Sequence, residues 1–260
     1  MEVLLSVVLP LRNDVEVLQS RLAHLLSVLD ELAAYEVIVV DNGSSAANQL
    51  RLQQANLPVR LLQQAQGNIG RAQRLGVARA RGSWVYLLPI DEFQPEFLPW
   101  AWRHRLDYDL ILGSKGVDPT RTLQSPLRRC LSWGLNALLQ LLCQSPLADT
   151  HGQKLLYLPR LHPVLSQCQM DAGLWETELV LRALRTGLRL AEIPVAYRDL
   201  RPPRNSMLEK VVRNGWGVVR LARLMKDVPW AQSPQYRRFC SADTTGNPTA
   251  TSSQGLQTRS

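Results

Sequence analysis

Short runs of β-branched and aliphatic residues alternate along this chain with segments whose apolar residues recur at helical spacing. That alternation leaves few folds open. Leu4-Leu5-Ser6-Val7-Val8-Leu9-Pro10 and Glu36-Val37-Ile38-Val39-Val40-Asp41 read as strands buried on both faces. Between them Val15, Leu18, Leu22, Leu25, Leu26 and Leu29 share one helix face. A further strand at 59–62, a helix over about 70–81 and a strand at 84–88 continue the pattern. The reading is α/β, a doubly wound and mostly parallel sheet flanked by helices. Such sheets bind ligands outside the C-terminal ends of their strands, where Pro10, Asp41 and Asp91 fall.

The pattern loosens after another strand at 110–113. A polar stretch at 115–125 precedes an apolar helix over 126–143, a helix over 175–185 and a strand near 188–197. With 45% apolar and 20% charged residues in 260, the chain can bury a core, which excludes wholesale disorder and a collagen-like chain. No apolar stretch approaches the ~20 residues that cross a bilayer, and Met1-Glu2 lacks a basic leader, so a cytoplasmic protein is expected. Cys130, Cys143, Cys168 and Cys240 show no CxxC spacing, which argues against a zinc site or a disulfide framework.

The net charge of +8 is concentrated rather than spread. Arg201, Arg204, Lys210, Arg213, Arg220, Arg223 and Lys226 are opposed in their segment by Glu209 alone, and Met207, Leu208, Val211, Val212, Trp216 and Leu221 interleave with them. A basic amphipathic helix over 204–231 suits an anionic membrane surface. Packing against the chain's own core is the alternative for its apolar face. Its aliphatic content and the lack of a nucleic-acid-binding motif speak against nucleic acid. From 232 to 260 Ser, Thr, Gln, Gly and Pro dominate, and a disordered tail is expected.

Three motifs gather at the strand ends. They are Pro10-Leu11-Arg12-Asn13-Asp14, Val39-Val40-Asp41-Asn42-Gly43-Ser44, and Asn68-Ile69-Gly70-Arg71-Ala72 with Gly76. Taken alone, Asp41-Asn42-Gly43-Ser44 is also an ordinary turn and helix-capping sequence. In this order the motifs resemble those of family-2 glycosyltransferases, which have the GT-A nucleotide-sugar fold and write P-x-Y-N-E, V-D-D-G-S and N-x-G-x-x-x-A. Later segments narrow the resemblance to polyprenyl-phosphate glycosyltransferases, the group similar to dolichol-phosphate mannose synthase. These are Gly113-Ser114-Lys115, Arg128 with Ser132 and Asn136, Asp149-Thr150-His151-Gly152-Gln153-Lys154, Trp175-Glu176-Thr177-Glu178-Leu179, and Ala191-Glu192-Ile193-Pro194-Val195.

The resemblance implies transfer of a sugar, with inversion, from a nucleotide diphosphate sugar to a polyprenyl phosphate at the cytoplasmic membrane face. Pro10, Arg12, Asp14, Asp41, Asn68, Gly70 and Arg71 would bind the nucleotide, Arg12 standing where the family has a tyrosine. Lys115, Arg128 and Ser132 would hold the acceptor phosphate. Asp91, Arg128 and Glu178 are the catalytic candidates, with a buried partner for Arg182 as the other reading of Glu178. Residues 1–115 would form the nucleotide-sugar half of the domain and 116–203 the acceptor half.

Two departures stand out. Where the family writes D-A-D, this chain has Pro89-Ile90-Asp91 followed by Glu92, so one hard-oxygen ligand for Mg²⁺ or Mn²⁺ is replaced by an imino acid. Asp91 with Glu92 is the remaining candidate metal pair. The segment Asp149 to Lys154 is also one residue shorter than D-T-x-x-G-x-K. The altered metal motif leaves open a non-catalytic binding module, and a non-lipid acceptor is the other alternative.

Overall fold

A computed structural model describes residues 3–65, 67–89, 93–118, 120, 122–123, 126–198 and 207–239. Strands β1 (Leu5–Leu11), β2 (Tyr35–Asn42), β3 (Arg60–Gln64), β4 (Trp84–Leu87) and β5 (Leu110–Ser114) lie where apolar runs predict them. Helices α1 (Val15–Asp30), α2 (Ala46–Gln54), α3 (Ile69–Arg79) and α4 (Phe97–Arg103) fill the crossovers. Beyond them come β6 (Thr122–Leu123), α5 (Pro126–Cys143), β7 (Lys154–Tyr157), α6 (Leu158–Gln167) and α7 (Trp175–Arg185). The described chain ends with β8 (Leu190–Pro194), β9 (Tyr197–Arg198), α8 (Met207–Lys226) and β10 (Tyr236–Arg238).

Eight strands form one sheet in the order β10-β8-β5-β7-β4-β1-β2-β3, and β6 pairs with β9 in a separate two-stranded ribbon. Strict alternation divides the sheet's two faces. Val7, Leu9, Val37 and Val39 meet Leu18, Leu22, Leu25 and Leu29 of α1. Val8, Ile38, Val40, Leu110 and Leu112 face the layer that contains α3, α5, α7 and α8. Each fully buried aliphatic side chain contributes about 1.5–3 kcal/mol of transfer free energy, so the two cores hold the three layers together. Gly76 lets α3 settle on the sheet, because a Cβ there would stand 2.3 Å from Val8 Cγ1.

Two features depart from the sequence reading. Strand β7 runs antiparallel between β4 and β5, with Lys154 opposite both Leu87 and Leu112. Its first residue therefore reaches the rim where the parallel strands end. The expected disordered tail also begins too early. Residues 236–238 join the sheet edge as β10, parallel to β8, and Phe239 is buried. Strand edges offer unpaired N–H and C=O groups, and that backbone pairing outweighs the polar composition. Residues 240–260 lie outside the described residues. No helix among those described is long and apolar enough to cross a membrane.

Candidate active site

The loops after β1 and β2 are stitched together at the C-terminal rim. Asn13 adopts φ 60° and donates its N–H to Ser44 Oγ at 2.9 Å, while its Oδ1 accepts the Ser45 N–H at 2.8 Å. Asp41 is buried at the end of β2, accepting from Ser44 N–H at 3.0 Å and Gln49 Nε2 at 2.9 Å. Two acceptor sites on that carboxylate are thereby used, and a carboxylate has about four. Gly43 turns the chain at φ +72°, and its missing Cβ would lie 3.0 Å from Gly67 N. Both conditions favour glycine.

Asn42 and Asn68 extend the stitching to β3. Asn42 Oδ1 accepts the Asn68 N–H at 2.7 Å, and Asn68 caps α3 by accepting the Arg71 N–H at 3.1 Å. Gly70 is buried in the first turn of that helix. The Arg12 side chain is exposed beside Gly67, with Nη1 2.8 Å from where a Cβ would be. Pro10 is half-buried in β1, and Asp14 is the N-cap residue of α1. Arg71 projects from α3 and donates to Asp171 Oδ2 at 3.0 and 3.2 Å, and Arg74 lies 3.7 Å from the same carboxylate. The nucleotide-side candidates thus share one rim.

Across the rim, Lys115 Nζ lies 3.9 Å from Asp149 Oδ2 and over the Tyr197 ring at 4.6 Å. With His151, Gly152, Gln153 and Val195 these groups line a cavity of about 10 Å³. That is close to the room one water requires. Gln153 Oε1 accepts from the Tyr86 hydroxyl, while its buried Nε2 has no partner among the described residues. Burial alone would raise the Asp149 carboxyl, but Lys115 and His151 outweigh it and hold the pKa below its ordinary value. Burial opposes a charged His151 as well, yet Asp149 and Glu176 prevail and raise its pKa above 6.5. The pair is therefore a buried carboxylate and a half-buried imidazole that stabilise each other's charge.

The supporting residues were the least visible in sequence. Glu192 is fully buried in β8 and accepts the N–H groups of Ala148 and Asp149, both at 3.0 Å. From β10 it also receives the Tyr236 hydroxyl and Arg238 Nε, the latter at 3.1 Å. The carboxylate thus clamps the Asp149 loop to the last strand. Lys154, also fully buried, donates to Gly152 O at 2.7 Å and to Glu176, which receives Gln73 from α3. The segment Ala191 to Val195 brought Glu192 into view in the sequence, but it named no partner.

Glu178 faces inward. It accepts from Arg182 Nε at 2.8 Å and from the N–H groups of Gln169 and Met170 at 2.8 and 2.6 Å. These contacts match its reading as the buried partner of Arg182, and they tie down the loop that carries Asp171. Ser132 is half-buried on α5, and Asn136 donates to Ala148 O at 2.7 Å, joining that helix to the Asp149 loop. Arg128 lies in the first turn of α5, with its side chain outside the described residues. Asp91 and Glu92 also lie outside them. Among the described residues no group of three His, Cys, Asp or Glu could hold a metal ion.

Comparison with known proteins accords with this rim. The chain is 26% identical over 233 residues to glycosyltransferase AglD of Haloferax volcanii, covering 83% of itself and 36% of that relative. It therefore spans little more than a third of the relative's length. Its fold is similar to glucosyl-3-phosphoglycerate synthase from Mycobacterium tuberculosis, solved with Mn²⁺, UDP-glucose and phosphoglyceric acid. That likeness has a TM-score of 0.61 at 18% identity, over 88% of this chain and 82% of the other. The mannosyltransferase PcManGT from Pyrobaculum calidifontis, solved with GDP-mannose and Mn²⁺, gives 0.58 at 16%, over 87% and 65%. The model of Glycosyl transferase family 2 matches residues 6–149. With its motifs in order on the rim of a GT-A sheet, this chain belongs to glycosyl transferase family 2.

Proposed function

We propose that this glycosyltransferase moves a sugar from a nucleotide diphosphate sugar to a polyprenyl phosphate, with inversion, at the cytoplasmic face of a membrane. The observation that carries the reading is the rim opposite the Asp41 loop. There Lys115 and Asp149 lie beside Gln153, whose buried Nε2 has no partner among the described residues, and Asn136 ties α5, which bears Arg128 and Ser132, to the same loop. A phosphate monoester is already ionised at neutral pH, so its attack needs orienting cations more than a base. Lys115, Arg128 and Ser132 would do that work. A phosphate oxygen bonds to the sugar's C1 as the bond from C1 to the nucleotide diphosphate breaks. Arg71, exposed in its pair with Asp171, would turn to the departing charge.

Residues 1–115 would serve the donor and 116–203 the acceptor within one domain. Mg²⁺ or Mn²⁺, when bound, would offset charge on the diphosphate. Asp91 and Glu92 would supply its protein oxygens, and the nucleotide's own oxygens would have to complete the set, since Pro89 cannot.

The test incubates the purified protein with a panel of UDP- and GDP-sugars and a short-chain polyprenyl phosphate, with and without Mn²⁺. A lipid-linked sugar is expected, with large losses in Lys115→Ala and Arg128→Ala. Nucleotide binding without turnover would instead indicate a binding module. Transfer to a non-lipid acceptor that ignores both substitutions would overturn the lipid-phosphate assignment.

A further inference from the structure

Helices α5 and α8 pack side by side and end at one guanidinium. Arg185 donates to Cys143 O at 2.8 Å at the end of α5, and to Met225 O and Val228 O, the latter at 3.0 Å, at the end of α8. The helices therefore run parallel. Counting back along each axis puts Trp133 and Trp216 each about 14–15 Å from the C-terminal end of its own helix.

Both indoles face outward. Trp133 is 73% exposed and Trp216 70%, and Leu141 on α5 is 77% exposed. The opposite sides of the helices, Leu139 and Cys143 on one, Val218, Leu221 and Met225 on the other, enter a single core. On α8, Arg220, Arg223 and Lys226 are exposed on the face of Trp216, and on α5 Arg129 is exposed near Trp133. The sequence of α5 contains no acidic residue, and that of α8 has Glu209 alone.

We propose that this outward face of α5 and α8 docks on an anionic lipid bilayer. Tryptophan at the headgroup level with cations around it matches the layering of a membrane interface. Three other occupants fit poorly. Residues 240–260 bring Leu256 as their one large apolar side chain, too little to cover two indoles and a leucine. A second copy would set cation against cation, with Glu209 the one acid in the two helices to answer them. A nucleic acid duplex offers phosphates but no apolar phase for Leu141. Docking rests on the lipid-phosphate reading for its purpose alone, because α5 also carries Ser132, and its evidence is the face itself.

The experiment uses the full chain, without donor or acceptor, and vesicles of phosphatidylcholine with or without phosphatidylglycerol. Expected are sedimentation with the phosphatidylglycerol vesicles, weakened by salt, and a blue shift of tryptophan emission quenched by brominated lipid. Trp133→Ser with Trp216→Ser should lower partitioning at least about tenfold. Arg220→Gln and Arg223→Gln should each lower it about fivefold. These side chains are exposed, so the melting temperature should stay within about 2 °C. No partitioning into anionic vesicles, or partitioning unchanged in the tryptophan variant, would overturn the proposal. So would a dimer that the tryptophan variant abolishes in the absence of vesicle binding. Vesicle binding with no sugar transfer would refute the acceptor assignment and leave docking standing.

Discussion

Glu192→Gln isolates the clamp that holds the Asp149 loop. Its carboxylate collects four donors, the N–H groups of Ala148 and Asp149 at 3.0 Å, Arg238 Nε at 3.1 Å and the Tyr236 hydroxyl. Glutamine is nearly the same shape, yet it keeps one acceptor oxygen and turns an NH₂ toward groups that are themselves donors. Hydrogen bonds to a charged group are worth about 1.5–3 kcal/mol and neutral ones about 1, and an unmatched buried donor costs about 1–3 more. The sum agrees with the roughly 3–5 kcal/mol lost when one member of a buried ionic cluster is removed. For a domain of this size that is a fall of about 6–20 °C in melting temperature. Thermal unfolding measures the total. Hydrogen exchange at the Ala148 and Asp149 amides locates it, and both should exchange faster in the variant while the β1 and β2 amides remain protected. Tyr236→Phe removes one donor to the carboxylate and should cost about 1.5–3 kcal/mol. A shift under about 3 °C for Glu192→Gln, with unchanged exchange at both amides, would refute the clamp.

Other predictions follow from the same geometry. The His151 imidazole should titrate above 6.5 by NMR and drop when Asp149 becomes Asn, because the carboxylate is its main support after burial is overcome. In the linkage, the stabilisation from the raised His151 is present below 6.5 and lost as pH rises through the folded value. That from the lowered Asp149 is present above 3.8 and lost as pH falls through its folded value, so the pair holds best between 3.8 and 6.5. Gly76→Ala should destabilise by about 1–3 kcal/mol in urea unfolding despite the better helix propensity of alanine. The clash at 2.3 Å with Val8 is the reason, and a stabilised variant would show that α3 can shift. Arg71→Ala should change stability by less than about 1 kcal/mol, since its pair with Asp171 is exposed. The same variant should weaken nucleotide-sugar binding in calorimetry, and unchanged binding would remove Arg71 from the donor site.

Much of the sheet around the Asp41 rim was legible along the chain because each element carries its own periodicity. The continuous apolar run in 36–41 and the helical spacing in 15–29 need no distant partner to be read, and turn residues such as Gly43 and Asn68 act on the few residues around them. Strand β7 was not legible, because its antiparallel insertion between β4 and β5 is a choice of neighbours that Lys154 to Tyr157 do not encode locally. The start of the expected tail, at 236–239, was misread for a related reason. A three-residue edge strand gains its stability from backbone bonds to β8 and from Glu192, which lies more than 40 residues earlier.

What the sequence by itself determined is the α/β alternation, the strand ends that bear Pro10 and Asp41, and the basic character of the 204–231 segment. Tertiary structure alone decided which charges meet. It set Asp149 between Lys115 and His151, paired Arg71 with Asp171, and brought the C-terminal ends of α5 and α8 together at Arg185. The physical reason is range. Strand and helix patterns act over a few residues, whereas burying a charge depends on a partner that only folding brings within hydrogen-bonding distance.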